Sequence, residues 1–243
     1  MYREYGKRIE DVSIALAALV ILGLPMLLVA AAIRLTSKGP ALFRQKRFGK
    51  DKQLFTVYKF RTMSTKAPKN MPTNSFTNAD SYITPLGGVL RKLSIDELPQ
   101  LLNVIKGDMS IVGPRPVIKT EKKLISLRQK YHANSVKPGI TGWAQVNGRD
   151  DLDDQRKAEM DGEYVQRLSF LTDVKIMIKT VGAVLMMSGH TEGSERTVSG
   201  VDNALESEES PLHLTHRQFP EVQPALHADA ARTGVRGALC LDG

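Results

Sequence analysis

The longest feature in the pattern of apolar and polar positions is a run from Val12 to Ile33, interrupted only by Ser13 and Gly23. Built as one helix, its 22 residues would extend about 33 Å, enough to cross a hydrocarbon core of ~30 Å. Pro25 lies inside the run and predicts a break or kink, with apolar pieces of 13 and 8 residues on either side. Basic residues flank both ends: Arg3, Lys7 and Arg8 before it, then Arg34, Lys38, Arg44, Lys46 and Arg47. Such flanks favour the cytoplasmic side, and a single crossing cannot place both of them there. A re-entrant helix that dips into the bilayer and returns can. An ordinary single span and a buried helix of a soluble domain are the other two readings of the run. With no small-residue cleavage motif after it, a cleavable signal peptide is not expected.

Past Ser37-Lys-Gly-Pro40 the period changes to two. Residues 42–47 and 53–62 read as strands around the turn Phe48-Gly-Lys-Asp51. Along the second strand Phe55, Val57, Lys59 and Arg61 share one face. Ser64 to Tyr82 is polar and aperiodic, a loop that either covers a site or merely connects. Leu98, Leu101, Leu102 and Ile105 then recur at helical spacing. Pro99 is tolerable only in a first turn, so a short helix is expected to start near Asp96. Val117 to Tyr131 and Leu152 to Leu168 read as charged helices, separated by the glycine-punctuated segment Val136 to Arg149. In the amphipathic helix Ser169 to Ser188, Leu171, Val174, Ile178, Val181 and Leu185 trace one stripe. That stripe suits core packing and a membrane interface equally. From about His190 periodicity stops. The predicted architecture is α+β and mostly helical: an anchoring helix over 1–36, a catalytic domain over 37–190 and a disordered polar tail over 191–243.

Charge changes the picture more than composition does. The net charge is +8, yet from His190 onward there are 4 Lys/Arg against 9 Asp/Glu, so the first 189 residues carry +13. A basic body asks for an anionic partner: membrane lipids, a phosphorylated substrate or nucleic acid. Aromatics make up only 6% and no Cys/His cluster is present, so none of the common nucleic-acid modules fits and no nucleic-acid partner is expected. The one cysteine, Cys240, allows no internal disulfide.

The chemistry concentrates between Arg91 and Pro116. Asp96 and Glu97 would occupy the positive end of a helix dipole, where both favour ionisation, which suits a nucleophile or a metal ligand. Ser94-Ile-Asp-Glu97 also matches a capping box, in which both acids would be purely structural. Arg91, Asp108 and Arg115 crowd the same stretch. The stiff turn Gly113-Pro-Arg-Pro116 could hold a guanidinium against phosphate. Lys59 and Arg61, on one strand face, could meet a diphosphate or simply be solvated. In the glycine-rich segment Gln145, Asn147 and Arg149 could read a sugar or uridine, while Trp143 reads first as a core or interface anchor. Asp161 and Tyr164 share a helix face.

Four motifs occur together: Lys59-Phe-Arg-Thr-Met63, Leu93-Ser-Ile-Asp-Glu-Leu-Pro-Gln100, Gly107-Asp-Met-Ser-Ile-Val-Gly-Pro-Arg-Pro116, and Pro138-Gly-Ile-Thr-Gly-Trp-Ala-Gln-Val-Asn-Gly-Arg149. In this order they resemble the bacterial sugar transferases, monotopic phosphoglycosyl transferases that start glycan assembly on a polyprenyl phosphate. The resemblance runs from about residue 5 to about residue 190. It implies transfer of a sugar-1-phosphate from a UDP-sugar to undecaprenyl phosphate, with release of UMP, to begin an O-antigen, capsule, exopolysaccharide or glycoprotein glycan. By motif, Asp96 would be the nucleophile and Glu97 a ligand to Mg²⁺. Lys59, Arg61, Arg91, Arg115, Arg149 and Asp161 would bind substrate. The resemblance also implies the bacterial inner membrane with the site facing the cytoplasm, a re-entrant helix bent at Pro25, and room for a homodimer. The family often carries serine just before that proline, where this chain has Leu24.

Overall fold

The computed structural model describes residues 2–67, 79–148 and 152–188. The tail expected to be disordered, residues 68–78 of the polar loop, and Arg149 lie outside them. The described chain is α+β and mostly helical. It runs α1 (Lys7–Thr36), β1 (Leu42–Phe48), β2 (Leu54–Phe60), α2 (Pro85–Lys92), α3 (Leu101–Lys106), β3 (Ser110–Val112), α4 (Lys122–Lys130), β4 (Gly139–Thr141), α5 (Trp143–Val146), α6 (Asp154–Gln166) and α7 (Phe170–Ser188).

Of the break or kink expected at Pro25, a break does not occur: α1 is one helix that runs through it. Proline removes one donor, to the carbonyl four residues back. That residue, Ile21, is 73% exposed, and Pro25 is exposed too, so the lost bond lies on the outward side. The inward side is continuous. Asp11, Ala15, Ala18, Leu22, Met26, Val29 and Ile33 recur every three or four residues and are all buried or half-buried. Ala15, Ala18 and Leu19 pack with Val57, Leu101 and Val104, while Met26, Val29 and Ile33 pack with Phe60 and Leu90. The opposite side exposes Leu16, Val20, Ile21, Leu24, Leu27 and Leu28.

Both ends of α1 are tied down by arginines. Arg8 donates from its two terminal nitrogens to the carbonyls of Val104 and Ile105, the open C-terminal end of α3. Arg61 donates to the carbonyls of Ser37 and Lys38, each at 2.9 Å, and to Ser37 Oγ at 2.7 Å. Deeper in, Lys7 lies 3.0 Å from both Asp11 and Asp173, and Tyr164 donates its hydroxyl to Asp173. These bonds join α1, α6 and α7.

The hairpin forms as expected, β1 antiparallel to β2, with Phe43 opposite Lys59 and Arg47 opposite Phe55. A second pair, β3 parallel to β4, was not anticipated because three-residue strands are too short to show a period. Its strands meet where Gly113 and Gly139 touch backbone to backbone; a Cβ on Gly139 would lie 2.1 Å from Gly113 N. Three residues of the apolar stripe of α7 point outward, Leu171, Ile178 and Val181, each at least 60% exposed, while Val174 is half-buried. The core takes Ile176 and Met177 instead.

Candidate active site

Asp96 and Glu97 lie on a 3-10 turn, Ile95–Gln100, that leads into α3. The capping box does not form. Ser94 adopts a left-handed φ of 55° and its side chain caps nothing. A non-glycine residue in that region stores roughly 1–2 kcal/mol, a strain that clusters at functional sites. The tighter turn also moves the buried face. A 3-10 turn advances about 120° per residue against the 100° of an α-helix, so Leu102 is 40% exposed instead of joining the stripe. Pro99, Gln100, Asn103 and Val104 are buried in its place.

Asn103, fully buried, aligns this turn with the hairpin. Its Nδ2 donates to Thr56 O at 2.7 Å, and its Oδ1 accepts from Tyr58 N at 3.0 Å. One residue further along β2, Lys59 reaches Glu97 Oε1 at 2.5 Å. Arg115 Nη1 approaches the same oxygen at 3.3 Å from the Gly-Pro-Arg-Pro turn. The three elements that carry the motifs thus converge on one carboxylate. Asp96, beside it and half-buried, has no ion-pair or hydrogen-bond partner among the described residues.

The two acids are shifted in opposite directions, contrary to the expectation that both favour ionisation. Burial works against the charge of Glu97, but Lys59 and Arg115 outweigh it and hold the pKa at about 2. For Asp96 burial dominates and pushes the pKa up; Lys59 opposes it, the Glu97 charge reinforces it, and Arg91 and Arg115 oppose it at longer range. Burial likewise lowers the Lys59 pKa, with Glu97 acting against the fall. Two adjacent carboxylates whose environments push their pKa values apart are a pattern met at acid–base sites.

Lys59, Arg91 and Arg115 therefore surround the acids as expected, and two other expected residues do not. Arg61 is buried on the end of α1. The strand ends at Phe60, so the alternation that would have aligned Arg61 with Lys59 no longer applies there. Asp161 is 1% exposed and paired with Arg128 at 2.6 Å between α4 and α6, so its carboxylate is taken up by that pair. The glycine-rich segment is also turned to bracing. Gln145 donates to Ile140 O and Asn147 to Trp143 O, while Lys179 donates to Asn147 Oδ1. Trp143 packs with Val112, Tyr164 and Ile176, as an anchor does. One residue near the site was read in the sequence only as a basic flank of the apolar run. Arg47 donates to Pro116 O at 2.6 Å; burial and the charge of Arg115 lower its pKa to about 10. The hairpin register that puts Arg47 on the Lys59 face was the signal that could have found it.

Among the described residues no three His, Cys, Asp or Glu side chains gather, so no all-protein metal cage is present among them. The donor set suits a hard cation held through one or two carboxylates together with phosphate oxygens.

An acid pair set among cations, on a domain packed along an outwardly apolar helix, is an arrangement suited to handling phosphate groups. The family model for bacterial sugar transferases matches residues 2–187, and the chain belongs to that family. It is a sugar transferase. It is 42% identical over 183 residues to the uncharacterized sugar transferase EpsL of Bacillus subtilis, covering 75% of this chain and 89% of that protein. It is 38% identical over 198 residues to the exopolysaccharide production protein ExoY of Sinorhizobium fredii, covering 76% and 87%. The UDP-glucose:undecaprenyl-phosphate glucose-1-phosphate transferase of Escherichia coli is 40% identical over 182 residues, covering 72% of this chain and 39% of that longer protein.

Proposed function

We propose that this chain transfers a sugar-1-phosphate from a UDP-sugar to undecaprenyl phosphate, releasing UMP, through a covalent intermediate on Asp96. The observation that carries the reading is the asymmetry of the acid pair: Asp96 has no ion-pair or hydrogen-bond partner among the described residues, beside a Glu97 already bound to Lys59 and Arg115. An Asp96 carboxylate oxygen attacks the β-phosphorus, the bond to the UMP oxygen breaks, and UMP departs. A phosphate oxygen of the lipid then attacks the same phosphorus, frees the carboxylate and leaves a diphosphate-linked sugar on the polyprenol. Lys59, Arg91 and Arg115 face the charge that builds on the transferring oxygens. Mg²⁺ bound through Glu97 and the diphosphate would add charge neutralisation. Neutral carboxyl is a poor nucleophile, so Lys59, Arg91 and Arg115, whose charges favour the Asp96 anion against the effect of burial, also serve the attack.

The lipid substrate fits the anchor. A helix whose inward stripe stays on the catalytic domain from Asp11 to Ile33 cannot also present all its faces to lipid. In our reading α1 enters and leaves the inner membrane from the cytoplasmic face, its outward leucines and isoleucines in the bilayer, with the apolar stripe of α7 beside it. Single cysteines introduced at the exposed positions Tyr5 and Lys38 should both resist a membrane-impermeant thiol reagent applied to spheroplasts. Labelling of either end from outside would establish a crossing helix instead.

The reaction itself is tested by measuring UMP release over a panel of UDP-sugars with undecaprenyl phosphate and Mg²⁺. One sugar should give UMP, and with lipid omitted the protein should gain the mass of one phosphosugar. Free sugar-1-phosphate as the only product would indicate a hydrolase.

A further inference from the structure

Arg115 reaches Glu97 from a turn that cannot hold itself. Pro114 and Pro116 have no N–H, so the turn lacks the amides that would normally brace it. Its carbonyls are held from outside instead, four in succession and each by a different group. Pro114 O accepts from Gly139 N at 2.9 Å, Arg115 O from Arg128 Nη1 at 2.8 Å, Pro116 O from Arg47 Nη1 at 2.6 Å, and Val117 O from Phe48 N at 2.9 Å. Two of these donors are arginine side chains.

Arg128 is only 5% exposed and carries a charge that burial opposes. Asp161 balances it, accepting from Nε at 2.8 Å and lying 2.6 Å from Nη2. The planar guanidinium thus serves two tasks at once: two nitrogens on the carboxylate and the third on the Arg115 carbonyl. A lysine cannot span both. Stability alone does not explain such a pair, since well-packed apolar residues of equal volume do as well or better. An apolar pair, however, offers no donor to Arg115 O. Arg47 has the same design, with Nε and Nη2 on Gln45 Oε1 and Nη1 on the turn.

We propose that Arg128 and Asp161, with Arg47 as a second brace, are positioning residues that aim the Arg115 guanidinium at the substrate diphosphate without touching it. This rests on Arg115 facing phosphate in the function proposed above. It also assigns the family aspartate at 161 a task one step removed from the substrate.

The test is a set of double-mutant cycles on UMP release. Arg128→Lys, Asp161→Asn and Arg47→Lys should each lower kcat/KM by up to ~10²-fold, the usual scale for a misaimed group, and reproduce the division between kcat and KM seen in Arg115→Ala. Combined with Arg115→Ala, each should cost less than about threefold more, because the residue it aims is gone. Losses that multiply in the double variants would overturn the proposal. If Asp161→Asn does not fold, the cycles with Arg128→Lys and Arg47→Lys decide it. The Nε–H resonance of ¹⁵N-labelled Arg115 gives a readout independent of turnover: the brace variants should shift or broaden it, and an unchanged signal counts against the brace. If the wild-type protein releases no UMP from any UDP-sugar, the proposed function fails and that resonance still decides the brace.

Discussion

Asp96→Asn should abolish transfer, with UMP release reduced by ~10⁴-fold or more, the range for losing a covalent nucleophile. The substitution is nearly isosteric, and Asp96 holds no partner among the described residues, so thermal unfolding should stay close to wild type. The loss would then be chemical, not structural. Intact-mass analysis supplies the positive counterpart: wild-type protein with UDP-sugar and no lipid should carry the phosphosugar, and the variant should not. Acid should also slow the wild-type enzyme earlier than an ordinary aspartate would allow. Burial raises the Asp96 pKa, so the reactive anion is lost as pH falls through a value above the usual ~3.9. Retention of activity within tenfold of wild type in Asp96→Asn would remove the nucleophile from this position.

Much of this site could be read in the chain before any coordinates, because it is local. Asp96, Glu97, Arg91 and Arg115 lie within 25 residues, and a 3-10 turn followed by a stiff proline turn brings them together with little help. Lys59 was reachable by strand parity. What parity could not give was where the strand stops, and that alone decides that Lys59 meets Glu97 while Arg61 meets the end of α1. Asp161 was misplaced for a different reason. Its partner Arg128 is 33 residues away on another helix, and no periodicity links two buried charges across that separation. The apolar run was plain in the sequence, but its single contact stripe was not. Nearly every residue in it is apolar, so the pattern has no polar side to mark which face meets the domain. A break was expected at Pro25 because a helix breaker was judged by its lost hydrogen bond. The packing of Met26, Val29 and Ile33 onto Phe60 and Leu90 holds the helix together past it.

Glu97→Gln separates chemistry from capping more sharply than any other change. Glutamine serves a capping box as well as glutamate does, so a capping residue should tolerate the exchange at neutral pH. Here the carboxylate is the anion for Lys59, largely buried, and for Arg115, which remains 46% exposed. Without it Lys59 is left as an uncompensated charge, costing about 3 kcal/mol, while Arg115 can turn to water. The pH dependence has a fixed sign. Because the folded pKa of about 2 lies below the ordinary glutamate value of ~4.3, the stabilisation is complete above ~4.3 and is lost as pH falls toward 2. The melting gap between wild type and variant should therefore be widest near neutral pH and close through that acid window. Transfer should fall by ~10²–10³-fold, the scale for removing one charge-stabilising group, and the response to added Mg²⁺ should weaken alongside it. A variant that melts with wild type at pH 7 and keeps its magnesium response would return Glu97 to the role of a helix cap, and the diphosphate would then need another site.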